Sequence, residues 1–283
     1  MLSLITWNIQ WGLGIDGEVN LARIASECRR LADADILCFQ EVAAGFDELR
    51  GHDGSDQFKT LAAHFPYHQA FTGLTIDWPA PETTGKTDKR FGNMILCRLP
   101  VLQVIRHTLP WTGAGGESMQ RGALEMVVTY DDKPLRIITT HLEWSSPEAR
   151  QPQISTLRAL HNHACTRFLH PPNFGKGPYA TKAQTCDTIL TGDFNMRPED
   201  PLLAELQNPF AETGIPRLVD VWTHHKGALT HPISMCLHDQ SHEPARCLDY
   251  IFVSENLTPR IRLINYDQIS TASDHQPVLL EMR

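Results

Sequence analysis

The chain has 283 residues, of which 41% are hydrophobic and 20% are charged, and its formal net charge is −8. These values describe a globular chain long enough to bury a large core within one α/β domain. Proteins that wrap long duplex nucleic acid usually carry a basic excess, because neutralising phosphates supplies most of that affinity. The acidic net charge therefore disfavours nonspecific duplex binding, although it does not exclude a local basic cleft.

The first hundred residues alternate between strand and helix patterns. Taken in chain order, they predict a strand, a helix, a strand and a helix at 2–9, 20–33, 36–40 and 56–65. Asn20 is a suitable N-cap for the first helix. Residues 74–92 combine proline, glycine and several charges, so we expect a long surface loop there.

The remainder of the chain is richer in strands. Strands are predicted at 93–98, 101–107, 121–130, 134–141, 187–191, 248–254, 259–266 and 276–282. Helices are predicted at 147–169, where Pro147 stands near the start, and at 201–207. Residues 171–185 and 223–247 are expected to be loops. This mixture predicts a single domain over residues 1–283, with two packed mixed sheets and helices outside.

The seven cysteines are scattered and include no C-x-x-C pair. Cys38 and Cys97 lie inside apolar runs, where reduced core cysteines are typical. No stretch approaches the ~20 apolar residues of a membrane span. Because a strand pattern begins at Leu2, we expect no cleavable leader. The sequence predicts a cytoplasmic protein without a transmembrane segment.

Several predicted strands end in polar residues that folding does not require. These are Asn8, Glu41, His141, Asp193 with Asn195, Asp249, and Asp274 with His275. Each alone has a structural explanation, such as a turn cap or a surface ion pair. Loops at one end of a sheet, however, are where function is usually built. Their joint recurrence favours one polar site.

The chemistry of this set is specific. The donor set has the carboxylate oxygens of Glu41, Asp193 and Asp274 and the amide oxygens of Asn8 and Asn195, and it has no thiolate. Such oxygen donors suit a hard cation such as Mg²⁺ or Mn²⁺ and speak against structural zinc. Histidines beside such a cation can donate hydrogen bonds or protons to an anionic reacting group, and Asp249 could orient one imidazole. The combination fits hydrolysis of a phosphate ester, in which attack by water builds charge on the phosphoryl oxygens.

Six short motifs make the chain resemble the endonuclease/exonuclease/phosphatase superfamily. In order, they are WN at 7–8, QE at 40–41, THL at 140–142, GDFN at 192–195, LDYIF at 248–252 and SDHQPV at 273–278. The pair GDFN and SDH is the most specific. The resemblance implies the deoxyribonuclease I-like fold, a four-layer α/β sandwich of two mixed β-sheets flanked by helices.

The resemblance also implies roles for these residues around a bound metal. Glu41 would be the principal metal ligand, and Asn8 would lie beside the metal and the scissile phosphate. Asp274 would complete the metal environment. His141 would stabilise the pentacoordinate transition state.

For the attacking water, the resemblance implies that Asp193 aligns or deprotonates it and that Asn195 holds it or a phosphoryl oxygen. His275, braced by Asp249, would bind the phosphate and assist proton transfer. Whether Asp193 or His275 takes the proton of the water stays open.

Two departures from the family's abasic-site endonucleases help to place the chain. That branch carries a tyrosine where this chain has His141, and an acid where it has Gln10. The histidine is more similar to deoxyribonuclease I, the neutral sphingomyelinases and the inositol polyphosphate phosphatases. The longer motifs of the inositol phosphatases are absent, so both that branch and abasic-site repair are disfavoured.

Four further residues are candidates for substrate contacts. Arg121 could reach a phosphate or form a structural salt bridge, and Asn93 lies near the site in the family but also fits a turn with Gly92. Glu143 and Trp144 follow His141 and could line the pocket, although Trp144 also suits packing. The histidines of the segment 223–247 do not match a zinc site, and we interpret them as solvated or rim residues: His224, His225, His231, His238 and His242.

The leading hypothesis is a Mg²⁺- or Mn²⁺-dependent hydrolase of a phosphoester, preferentially a phosphodiester. Its substrate could be a small molecule, a lipid headgroup or a nucleic acid. Within the same superfamily, a nuclease acting on DNA or RNA is the alternative, with basic side chains that could flank a groove: Lys86, Lys89, Arg90, Arg167, Lys176 and Lys182. A catalytically inactive binding domain is less favoured, because every principal position is occupied. No protein partner is evident.

Overall fold

The computed structural model describes residues 1–81, 85, 87–113, 118–171, 175–180, 182–241 and 243–283. Within these residues the strands are β1 Leu2–Asn8, β2 Ile36–Ala44, β3 Gln69–Trp78, β4 Lys89–Cys97, β5 Val101–Thr108, β6 Gly122–Tyr130, β7 Lys133–His141, β8 Thr188–Asp193, β9 Leu218–Asp220, β10 Asp249–Ser254, β11 Ile261–Tyr266 and β12 Val278–Met282. The α-helices are α1 Leu21–Leu31, α2 Gln57–His64, α3 Pro147–Leu169, α4 Pro201–Leu206 and α5 Val221–Lys226.

The strands form two six-stranded sheets. The first has the order β11-β12-β1-β2-β4-β3, and the second has the order β5-β6-β7-β8-β10-β9. In both sheets the central pair, β1 with β2 and β7 with β8, is parallel, whereas the other pairings are antiparallel. The sheets are therefore mixed, and with their flanking helices they confirm the predicted deoxyribonuclease I-like sandwich.

Two apolar cores hold the layers together. The larger core contains residues of both sheets, such as Cys38 of β2 and Ile137 of β7, together with Leu157 of α3. The second core packs the outer face of the first sheet, including Phe39, against helices α1 and α2. Cys38 and Phe39 enter different cores because successive strand residues point to opposite faces. All the cysteines are buried free thiols, as expected for Cys38 and Cys97.

The helix predictions that rest on local signals are confirmed. Asn20 caps α1 by accepting a hydrogen bond from the backbone N–H of Arg23 at 2.9 Å. Helix α3 begins at Pro147, whose fixed φ suits a first helical turn, and Ser146 caps it. None of the helices in the described part of the chain combines the length and apolarity that a membrane crossing needs.

The predicted loop at 74–92 is wrong at both ends. Strand β3 continues to Trp78 and strand β4 already begins at Lys89, and the two pair as a hairpin. The prolines that suggested a loop lie between the strands, while the segments around Ile76 and Phe91 are held by cross-strand hydrogen bonds. Residues 82–84 and Lys86 lie outside the described residues.

Three further elements differ from the predictions. Residues Glu255–Arg260 form a 3₁₀ helix, so the strand expected from 259 starts at Ile261. The short elements β9 and α5 were not predicted, and α5 occupies the start of the loop expected at 223–247. At three and six residues, these elements are too short for a periodic pattern to reveal them.

Candidate active site

Residues from both sheets meet at one end of the sandwich. In the second sheet, Asp193 of β8 pairs with His141 of β7 and with Asp249 of β10, so three polar residues form one row across neighbouring strands. Asn8 at the end of β1 and Glu41 in β2 approach this row from the first sheet. The register of the strands therefore gathers residues that are far apart in sequence.

A cavity of about 630 Å³ opens over this row. Its polar lining contains seven of the predicted site residues: Glu41, Arg121, His141, Asp193, Asn195, Asp274 and His275. Asn8 and Asp249 lie behind this lining and contact it by hydrogen bonds. The structure thus brings the predicted acids, amides and histidines together in one place.

The carboxylate of Asp193 is the centre of the arrangement. It accepts hydrogen bonds from Asn8 Nδ2 at 3.0 Å and from the backbone N–H of Asn195 at 2.9 Å. The Nε2 atoms of His141 and His275 lie 3.5 Å and 3.7 Å from its Oδ2. Burial opposes ionisation, but His275, His141 and these hydrogen bonds outweigh it and hold the pKa of Asp193 below its ordinary value. Asp193 is therefore an anion.

Glu41 occupies a strained position beside Asp193. Its backbone has φ +57°, at an irregularity where β2 loses its register with β4 between Phe39 and Val42. Bulges of this kind re-aim side chains next to active sites. Asn8 Nδ2 also donates to Glu41 Oε1 at 3.1 Å. Burial and the nearby Asp274 carboxylate raise the pKa of Glu41 to about 7.

His275 is fixed by a chain of hydrogen bonds. Its Nδ1 donates to Asp249 Oδ2 at 2.8 Å, and the hydroxyl of Ser234 donates to the same oxygen at 2.7 Å. The carbonyl of His275 accepts a hydrogen bond from Trp7 Nε1 at 2.9 Å. Burial disfavours the imidazolium, but Asp249 and Asp193 outweigh burial and raise the pKa of His275 well above its ordinary value.

The second histidine, His141, has the opposite electrostatic character. Burial and the neighbouring Arg121 guanidinium lower the pKa of His141 to about 3, so its imidazole is neutral. Arg121 is 4% exposed and lines the cavity, and its Nε lies 3.6 Å from Glu143 Oε2. The site therefore combines a neutral and a charged imidazole on either side of the Asp193 anion.

Two of the four candidate substrate contacts line the cavity, and two do not. Arg121 and the half-exposed Trp144 belong to the lining. Glu143 is fully buried and accepts hydrogen bonds from Ser118 Oγ and the backbone N–H of Ser145, so it orders the loop instead.

Asn93 is buried within β4, where its Nδ2 donates to the carbonyl of Gly122 at 3.2 Å. The alternative of a turn at Gly92 and Asn93 is therefore wrong, because both residues lie inside the strand.

The interpretation of the histidines at 223–247 is partly corrected. His224, His225 and His238 are exposed as expected, and His242 lies outside the described residues. The side chain of His231 is instead mostly buried, and its Nε2 lies 2.6 Å from Asp220 Oδ2. Sequence spacing could not show this pairing, because strand β9 places Asp220 beside the histidine.

The sequence analysis also missed Ser234. This residue donates to Asp249, and its hydroxyl accepts hydrogen bonds from the backbone N–H groups of Leu248 and Asp249. Ser234 lies in an irregular segment, where the next residue, Met235, forms isolated β-bridges with Arg246 and His275. No local pattern marks a serine of this kind.

The oxygen donors of the site fit a divalent cation. Burial and the Asp274 carboxylate raise the pKa of Glu41, and burial, with a smaller contribution from Asp193, raises the pKa of Asp274. A bound cation would favour the ionised form of both carboxyl groups. The donors are oxygen atoms without a thiolate, which matches Mg²⁺ or Mn²⁺. Single ligand atoms of Asp193, Asp249 and His275 also lie within 4.8 Å of one another. In this second set of residues, His275 Nδ1 and Asp249 Oδ2 are already engaged with each other in a 2.8 Å hydrogen bond.

Two kinds of comparison relate the two-sheet sandwich and its polar cavity to known proteins. The sequence model of the Endonuclease/Exonuclease/phosphatase family matches residues 5–275. The chain therefore belongs to this family, whose name describes hydrolases of phosphoesters. No curated protein sequence matches the chain significantly.

Solved structures share the fold at low sequence identity. An endonuclease/exonuclease/phosphatase from Beutenbergia cavernae is 22% identical, with a TM-score of 0.67 over 100% of this chain and 71% of that one. D. rerio TDP2 complexed with single-strand DNA product is 21% identical, with a TM-score of 0.62 over 99% and 97%. The mannosyl-6-phosphatase of Bacteroides thetaiotaomicron is 15% identical, with a TM-score of 0.66 over 100% of both chains.

Proposed function

We propose that the protein is a Mg²⁺- or Mn²⁺-dependent phosphodiesterase that uses an activated water as its nucleophile. The observation that carries the proposal is the Asp193 carboxylate. It is ionised, held by Asn8 and Asn195, and placed between two imidazoles at the base of a cavity. An oriented carboxylate in such a position is suited to align and deprotonate water.

The remaining polar residues divide into metal-binding and phosphate-binding groups. Glu41 and Asp274, with Asn8 beside them, would hold the cation, which would polarise the phosphoryl group and stabilise its developing charge. On the other side, the His275 imidazolium and the Arg121 guanidinium supply positive charge for the phosphoryl oxygens. Asp249 fixes the ring of His275 and stabilises its charge.

His141 and Asn195 complete the proposed division of roles. Because His141 is neutral, it acts as a hydrogen-bond donor to the transition state and not as an acid of ordinary strength. Asn195 has φ +53°, and its Nδ2 donates to the carbonyl of Leu142 at 3.0 Å. This contact leaves its amide oxygen to orient the attacking water. Since His275 keeps its proton, we assign the role of base to Asp193.

Two of the six basic groups that could flank a nucleic-acid groove are neutralised by ion pairs. Lys89 pairs with Glu48, and Arg90 pairs with Asp77 and Asp88. Paired cations release fewer counterions and add little to the affinity for a polyanion. This observation favours a compact phosphodiester over a long nucleic acid. The cytoplasmic location stays a prediction from the cysteine pattern.

Turnover of bis(4-nitrophenyl) phosphate with and without divalent cations tests the proposal. We expect release of 4-nitrophenol in Mg²⁺ or Mn²⁺, and loss of activity in EDTA that returns when the metal is restored. His275→Ala should abolish turnover, whereas His224→Ala, which removes an exposed histidine of α5, should not. Equal activity of H275A and wild type contradicts the site assignment. Absence of turnover in both metals favours an inactive binding domain.

A further inference from the structure

The cavity over Asp193 has a second, apolar half that the proposed chemistry does not use. It is lined by Trp11, Phe46, Leu49, Ile76 and Phe91, which we call the aromatic wall. We propose that the aromatic wall binds a flat ring esterified to the scissile phosphate, so that the substrate is a compact phosphodiester with one aromatic group. This inference rests on the proposed function and specifies its substrate class.

Two residues of the wall, Ile76 and Phe91, lie on paired strands. Ile76 of β3 lies opposite Phe91 of β4, directly after an irregularity in register between Leu74 and Ile76. The ring of Phe46 meets the ring of Phe91 edge-on, with centroids 6.3 Å apart. The Lys89 ammonium lies over one face of Phe46, whereas the edge contact leaves a face of Phe91 for a further aromatic partner. A ligand ring would therefore meet a surface that is already arranged.

Trp11 is also held in place. Its Nε1 donates to the carbonyl of Arg50 at 3.0 Å, and its own carbonyl accepts a hydrogen bond from Gln57 Nε2 at 2.7 Å. Its backbone has φ +43°, a conformation that a bulky residue adopts only under tertiary constraint. Folding alone does not require a half-exposed indole here. Partly exposed apolar side chains that line a cavity indicate ligand binding.

The charges around the cavity place the phosphate away from the wall. Arg121 and His275 supply positive charge on the polar side. Beside the wall, the nearest ammonium group belongs to Lys89, which stands 5.3 Å from the Phe46 centroid and pairs with Glu48. A second phosphate would find no unpaired cation among the wall residues. The group that enters the wall is therefore uncharged.

The size and shape of the cavity favour a ring over a longer apolar group. A volume of about 630 Å³ is within the range for a small-molecule ligand and accommodates a phosphate together with a ring system. An aromatic ring gains edge or face contacts with three aromatic side chains in addition to the burial of apolar area. An alkyl group of similar area gains burial alone, so the wall should prefer the aromatic group.

Direct binding of three phosphate monoesters tests this inference without requiring turnover. We would measure the Kd values of phenyl, cyclohexyl and ethyl phosphate by calorimetry in Mg²⁺. The wall predicts that phenyl phosphate binds about tenfold more tightly than ethyl phosphate. Cyclohexyl phosphate should lie between them. Equal Kd values for phenyl and ethyl phosphate overturn the inference, as does tighter binding of cyclohexyl than of phenyl phosphate.

Two conservative variants test whether the aromatic wall causes the preference for phenyl phosphate. Phe91→Leu and Phe46→Leu keep an apolar side chain but remove a ring, so each should reduce the phenyl preference several-fold. Phe168→Leu changes a half-exposed aromatic residue of α3 outside the cavity and should leave the preference intact. Retention of the full preference in both wall variants overturns the assignment of the wall.

The binding and turnover results separate the two proposals. Selective binding of phenyl phosphate without turnover of bis(4-nitrophenyl) phosphate supports the wall and contradicts the phosphodiesterase. Turnover of bis(4-nitrophenyl) phosphate with equal binding of the three monoesters supports the phosphodiesterase and contradicts the aromatic wall.

Discussion

Two clusters of buried charge lie on opposite faces of the second sheet, and they differ in how fully their members are satisfied. Behind the sheet, against α3, Arg136 donates to Thr188 Oγ1 at 3.2 Å and to His161 Nδ1 at 2.8 Å. Its guanidinium also lies 3.5 Å from Glu125, which in turn contacts His107 at 2.9 Å. This cluster has opposite charges in direct contact, and its members do not belong to the lining of the cavity over Asp193.

The cluster on the inner face is arranged differently. The cavity is lined by the carboxylates of Glu41, Asp193 and Asp274, the His275 imidazolium and the Arg121 guanidinium, with the paired Arg246 and Glu243 also in its lining. The Oδ1 atom of Asp249 is buried without a hydrogen-bond partner in the described structure. Glu41 and Asn195 adopt left-handed backbone conformations. Buried charge alone therefore does not mark a functional site, whereas unsatisfied atoms, strained backbone and a cavity together do.

The sharpest test of this contrast is Asp193→Asn. An amide of the same size keeps the packing but cannot accept a proton from water, so we expect kcat to fall by roughly 10³-fold. The melting temperature should fall, because the amide loses the attraction between the Asp193 carboxylate and the His275 imidazolium. Initial rates and thermal melts measure both quantities. A fall of less than tenfold in kcat would remove Asp193 from the role of base.

The matched change behind the sheet is Glu125→Gln. It leaves the buried Arg136 guanidinium without its carboxylate, and breaking a buried ion pair in this way costs about 3–5 kcal/mol. Urea titration should show this loss in the free energy of unfolding, with kcat unchanged below the transition. If E125Q instead lost activity while keeping its stability, the division between a structural and a functional cluster would be wrong.

Local signals predicted part of this molecule and could not predict the rest. Asn20 and Pro147 marked helix starts correctly because capping acts within a few residues. The site residues were recognisable because polar side chains such as Asp193 ended apolar strands. Their arrangement across the sheet was not recognisable, because the row of His141, Asp193 and Asp249 depends on strand pairing between distant segments.

The aromatic wall shows the limit most clearly. Phe46 and Phe91 lie on either side of a segment whose prolines and glycine predicted a loop, so the hairpin that places them was not expected. Ser234 was missed for a related reason, because an irregular segment brings it to Asp249. Long-range pairing determines these positions, and a single sequence does not encode it in any local pattern.

Gly192→Ala tests whether close strand packing positions the catalytic row. Gly192 precedes Asp193, has φ +139°, and a Cβ there would lie 1.9 Å from the carbonyl oxygen of Thr140. The strands must separate to admit it, so we expect a loss of about 3 kcal/mol in stability and reduced kcat. Gly175→Ala, where a Cβ meets open space, is the control. Unchanged melting of G192A would show that the strands adapt freely.

Asp249→Asn tests the support of His275 from behind. The amide can no longer stabilise the imidazolium, so we expect kcat to fall by about 10²-fold. Stability should also fall, because the change breaks the buried ion pair between Asp249 and His275. The expected loss of kcat is smaller than that of D193N, because Asp249 acts through the histidine. Rates and melts of the two variants should be compared under one metal concentration. A larger loss in D249N than in D193N would reverse the assigned roles.

The smallest expected effect concerns His161 of the structural cluster. Its Nδ1 accepts from Arg136 and its Nε2 donates to the carbonyl of Pro216 at 2.8 Å, so the ring must be neutral. Burial and Arg136 lower its pKa from an ordinary 6.5 to about 4. Between these values the unfolded chain binds a proton that the folded chain rejects, so acidification destabilises the fold.

From pH 7 to pH 5, we expect His161 to account for a loss of about 2 kcal/mol in the free energy of unfolding. His161→Gln keeps one acceptor and one donor but does not titrate, so its stability should fall less over this range. Urea titrations at pH 7, 6 and 5 measure the difference in slope between the two proteins. Parallel pH dependence would show that another buried group, such as His141, governs the acid sensitivity of the protein in this range.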